Sequence, residues 1–97
     1  MDNDNILVEQ EFDIPLGAQN YKVKAVAVFV AREVAPQEVG MYHLNFTFRG
    51  KQAEMCQLDK THYSRKQAKR AAEVAFNSGK VKVYARSRIQ SWINVGL

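Results

Sequence analysis

Apolar residues recur at every second position through much of the first half of the chain, the pattern of half-buried β-strands. It is clearest at residues 42–49, where Tyr42, Leu44, Phe46 and Phe48 share one side and His43, Asn45, Thr47 and Arg49 the other. Near the start, Ile6, Val8, Phe12 and Ile14 alternate with Leu7, Glu9, Glu11 and Asp13, until Pro15-Leu16-Gly17 supplies turn chemistry. Between these runs lies Tyr21 to about Val34, apolar on both faces across Ala25–Val30, as expected of a central strand covered on both sides. Pro36 to Gly40 makes the next break. Strands patterned in this way must pair with one another and bury one face of the resulting sheet.

The second half changes period. Gly50-Lys51 reads as a hairpin turn into a fourth strand, Gln52 to about Leu58, with a bulge where the alternation slips between Met55 and Cys56. Ser64 followed three residues later by Gln67 is a capping box, in which the hydroxyl accepts from the Gln67 N–H and the Gln side chain reaches back. Strong helix formers fill Arg65 to Ser78, and Gly79 provides a left-handed stop. At about 100° per residue, Ala68, Ala71, Ala72, Ala75 and Phe76 fall on one stripe, opposite Lys66, Lys69, Arg70 and Glu73. Beyond Gly79, alternation returns and predicts a fifth strand, with Val81, Val83, Ala85 and Ile89 inward and Lys82, Tyr84, Arg86 and Arg88 outward, extended by Trp92. The expectation is a single α+β domain over residues 1–97: a four- to five-stranded antiparallel sheet with one helix, about 64–78, on a face, in the order β-β-β-β-α-β.

Composition narrows the chemistry. Cys56 is the only cysteine, so no disulfide forms within the chain, and a reducing, cytoplasmic setting is expected. Neither His43 nor His62 has a partner at metal-ligand spacing, so no metal or other cofactor is expected. The longest apolar run, Ala25 to Ala31, falls far short of the roughly 20 residues that span a bilayer. Asp2 and Asp4 stand where a secretory signal would be basic. Catalysis has little to work with. Asp59, His62 and Ser64 lie close in sequence, but Ser64 is engaged as a helix cap, and Cys56 sits in an apolar strand as a core thiol. No enzyme activity and no small-molecule substrate are expected.

Charge carries the strongest functional hint. The net charge of +4 conceals a split. Asp2, Asp4, Glu9, Glu11 and Asp13 crowd the first fourteen residues, while residues 60–97 hold nine Lys or Arg against Glu73 alone. Such a split predicts an anionic partner for the basic half, nucleic acid or an acidic or nucleoprotein surface. The candidate contacts are Arg65, Lys66, Lys69 and Arg70 on the helix and Lys82, Tyr84, Arg86 and Arg88 on the last strand. Basic residues interleaved with an aromatic suit a phosphate backbone with a stacked base; they suit an acidic protein surface equally.

The helix sequence Ser64-Arg65-Lys66-Gln67-Ala68-Lys69-Arg70-Ala71-Ala72 resembles the last helix of double-stranded RNA-binding domains, with Tyr42 to Leu58 in the place of the hairpin that precedes it. The resemblance covers residues 41–76. It implies phosphate contacts from Arg65, Lys66 and Lys69, reinforced by the partial positive charge of a helix N-terminus. In architecture the chain is also similar to small phage-encoded inhibitors, anti-CRISPR proteins among them, which implies binding to a host protein complex. Edge strands leave room for a homodimer.

Overall fold

The computed structural model describes residues 5–33, 39–52 and 61–95. Three long strands form the body of the sheet: β1 (Ile6–Leu16), β2 (Gln19–Glu33) and β3 (Val39–Phe48), antiparallel in that order. Two short strands, β4 (Lys51–Gln52) and β5 (Tyr63–Ser64), both pair with β3, one at each end. Two helices follow, α1 (Arg65–Asn77) and α2 (Lys80–Asn94), and both pack on the same face of the sheet.

The hairpin turns follow from backbone sterics. β1 and β2 are joined by Gly17-Ala18, and Gly17 has φ of 62°, which glycine adopts without steric penalty. β3 and β4 are joined by Arg49-Gly50, one residue earlier than Gly50-Lys51. Both loop residues have positive φ, 53° and 74°, the signature of a type I′ turn. Arg49 sits where an L-residue is disfavoured. Its guanidinium lies 5.2 Å from the ring centres of both Tyr21 and Phe48, contacts that help hold it there.

The alternation of the strands maps onto the two faces of the sheet. On the helix side lie Ile14 from β1, Val23, Ala25, Ala27 and Phe29 from β2, and Tyr42, Leu44, Phe46 and Phe48 from β3, all buried. On the other side Val26, Val28 and Val30 are only half-buried, so β2 is central in the sheet but buried fully on one face alone. β2 and β3 approach closely at Gly40, which pairs with Ala31, and a Cβ there would fall on the Val30 carbonyl oxygen.

The alanine stripe of α1 behaves as its angular clustering implies: Ala68, Ala72, Ala75 and Phe76 are buried. The small side chains let the helix lie close to the sheet. The predicted fifth strand is instead α2, which gives two helices and an order ending α-α. Val81, Ala85 and Ile89, four apart, are buried on one helical face, whereas Val83 is 72% exposed. Gly79, at φ of 85°, turns the chain between the helices, and Lys80–Asn94 contains no Gly or Pro to interrupt the second one. The fourth strand expected over 52–58 is present as Lys51–Gln52, and residues 53–60, Cys56 among them, lie outside the described residues.

Candidate functional site

Each predicted contact residue can be placed from the helix it occupies. On α1, Lys66, Lys69 and Arg70 are exposed and share the outer side with Glu73, opposite the alanines. Together with Gln67 they line a shallow depression of about 540 Å³. Arg65 departs from this group. It is half-buried, its guanidinium 4.7 Å from the centre of the Phe29 ring, and its Nη2 donates to Asn5 Oδ1 at 3.1 Å. Arg65 therefore clamps the start of α1 to the sheet. The helix N-terminus is occupied as well: the Gln67 N–H donates to Ser64 Oγ at 3.3 Å, and the Ser64 N–H to Gln67 Oε1 at 3.2 Å. With those groups satisfied, less of the N-terminus remains to meet an anion.

On α2 the outward row Lys82, Tyr84, Arg86, Arg88 does not survive as a row. Helical geometry separates it into Lys82 with Arg86 on one side and Tyr84 with Arg88 on another. Lys82 and Arg86 are exposed. Tyr84 is half-buried and stacks on Phe46, with ring centres 5.9 Å apart and planes 20° from parallel. The Arg88 guanidinium lies 5.8 Å from the Tyr84 ring centre. Trp92 stacks on Phe48 at 5.9 Å. The aromatics that could have received a nucleobase are thus committed to joining α2 to β3. Sequence reasoning also passed over Lys80, exposed at the start of α2, because an extended reading gave it no distinct position.

Both basic groups sit on helices packed on one face of the sheet. A fifth strand would have projected Lys82 and Arg86 from the sheet face opposite α1. Because α1 and α2 pack on the same face, the exposed sides of both point away from it. Among the described residues, Lys66, Lys69, Arg70, Lys82 and Arg86 take part in no ion pair. The ion pair from Lys24 Nζ to Glu9 Oε1, at 2.6 Å, lies on the opposite, open face. The Glu9 hydrogen bond and charge raise the Lys24 pKa.

Ser64 serves as the cap, His62 is exposed, and Asp59 and Cys56 lie outside the described residues. Among the described residues no group of three or more His, Cys, Asp or Glu side chains could hold a metal ion. No helix among them is long and apolar enough to cross a membrane. Comparison with protein-family models, curated proteins and solved structures finds no match to this chain.

Proposed function

We propose that the chain is a non-catalytic binding module that uses the outer surface of its two helices to hold nucleic acid, alone or within a nucleoprotein complex. The observation that carries the reading is the set of five exposed cations, Lys66, Lys69, Arg70, Lys82 and Arg86, on helices of one layer, with no ion pair to neutralise them among the described residues. Long side chains free to move at a surface suit phosphate oxygens, and neutralising phosphates releases counterions, so affinity depends steeply on salt. With Tyr84 and Trp92 stacked inward, contact is to the backbone more than to the bases. Titration of labelled nucleic acid at several salt concentrations tests this. Binding that weakens by several logarithmic units per decade of salt supports the reading, and binding that is absent at low salt overturns it.

A second reading, a small phage-type inhibitor or adaptor acting on a host protein complex, is favoured by one observation. Val74 and Val83 are 62% and 72% exposed on the solvent sides of the same helices. A phosphate backbone gains little from a valine, whereas a protein surface does. A defined protein complex that survives nuclease treatment, together with loss of that complex in Val83→Asp, supports this alternative.

A further inference from the structure

β1 pairs with β2 along one side, and among the described residues no strand pairs with its other side. The turn fixes which backbone groups face that open side. With a two-residue loop at Gly17-Ala18, Leu16 and Gln19 form the closing hydrogen-bonded pair, and every second pair after it, Ile14 with Tyr21, Phe12 with Val23 and Gln10 with Ala25, exchanges bonds with β2. The N–H and C=O groups of Asp13, Glu11 and Glu9 therefore point outward. Pro15 belongs to the same outward series, where its missing N–H takes nothing from the ladder, and it ends the usable edge on that side. The register shift between Ile6 and Val8 ends it on the other. Between these limits the backbone offers three consecutive rungs.

We infer that this edge is a docking site for an extended protein segment that alternates basic and apolar residues. The side chains around the rungs select that occupant. Glu9, Glu11 and Asp13 are exposed on the open face of the sheet, while half-buried Val8 and Phe12 lie on the helix side. A second copy adding its own β1 antiparallel would set the acids of one chain beside those of the other, and like charges at that spacing destabilise the pair. Added parallel along the same edge, it would be turned over, leaving Val8, Gln10 and Phe12 and no basic residue beside Glu9, Glu11 and Asp13. β2 already shows the complement. Its Lys24 and Lys22 lie opposite Glu11 and Asp13, and Lys24 closes an ion pair with Glu9. A strand with Lys or Arg at alternate positions repeats that arrangement on the outer side, and its apolar residues cover Val8 and Phe12. Backbone bonds supply affinity and the alternating side chains specificity. The site stands apart from the helical cations and does not depend on what they bind.

The test is an NMR titration of the whole chain with the end-capped peptide Lys-Val-Lys-Val-Lys-Val, set against the same peptide with Glu replacing Lys. Shifts and exchange protection should concentrate at the amides of Glu9, Glu11 and Asp13, and the acidic peptide should bind at least about tenfold more weakly, equivalent to about 1.4 kcal/mol. Glu11→Pro removes an outward N–H while sparing the β2 ladder and should abolish binding with the fold kept. The triple variant Glu9→Gln, Glu11→Gln, Asp13→Asn keeps the backbone rungs and should bind the basic peptide at least about tenfold more weakly, which decides the matter even where the proline variant fails to fold. Equal binding of both peptides, protection at other amides, or self-association through β1 at neutral pH would overturn the proposal.

Discussion

Arg65 and Lys66 are neighbours with the same charge and different work. The Arg65 guanidinium lies on Phe29 and donates to Asn5, while Lys66 is exposed on the outer side of the helix. Arg65→Ala should therefore cost about 1–2 kcal/mol of stability in chemical denaturation, from a lost cation–π contact and a hydrogen bond. Lys66→Ala should stay within about 0.5 kcal/mol of the parent. Equal effects would mean that the clamp contributes nothing. The sequence motif ranks the two residues alike, because what separates them is the aromatic ring that β2 carries beneath one and not the other. His43 gives a second residue-scale test. Burial first, then the charge of Arg32, lowers its pKa below the usual 6.5. The folded state thus binds the proton less readily than the unfolded chain. The stability it contributes is present above the unfolded value and is lost as pH falls through the folded one. Melting curves between pH 7.5 and 5 should show this loss in the parent and a smaller one in His43→Gln, and identical pH profiles would remove His43 as its source.

At the scale of elements, α2 shows where a sequence pattern stops deciding. Lys80-Val81-Lys82-Val83-Tyr84 alternates polar and apolar and is rich in β-branched residues, so a short window favours a strand. Over the longer window Val81, Ala85 and Ile89 recur every four residues, with Tyr84, Arg88 and Trp92 beside them, and this is the pattern the fold uses. A helix also satisfies its backbone internally and spreads Tyr84 and Trp92 over Phe46 and Phe48. The two assignments separate by experiment. In a strand, Val83 and Ala85 share a face; in the helix, Val83 is exposed and Ala85 has no solvent contact. Val83→Lys should leave the melting temperature nearly unchanged, whereas Ala85→Lys should unfold the domain or destabilise it by more than about 3 kcal/mol, since it forces a charge into a close contact. Where the pattern was long and uniform it was legible. The faces of β3, the alanine stripe of α1 and the Ser64 capping box all stand as their spacing implies. The candidate site was legible in part: Lys66, Lys69, Arg70, Lys82 and Arg86 are exposed, but a wrong period placed Tyr84 and Arg88 at the surface with them.

At the scale of the whole molecule, charge divides across the sheet. Glu9, Glu11 and Asp13 lie on the open face with Lys22 and Lys24, and the helical cations lie beyond the opposite face. Lys22 and Lys24 offset part of the acidic charge on the open face, and outside the protein salt screens what remains over a Debye length of about 8 Å. If α1 and α2 present one surface to a nucleic acid, each cation removed should lower the salt slope by about one unit, whichever helix supplies it. Lys69→Gln and Arg86→Gln should each flatten the slope by about one, the double variant by about two, and Lys22→Gln on the open face should leave it unchanged. Tyr84→Ala should act differently, lowering stability through its lost stack on Phe46 while the slope stays as it was. A slope that responds to Lys69 but not to Arg86 would confine the contact to α1. One that responds to Lys22 as strongly as to either would replace the helical surface with a diffuse attraction to the whole chain.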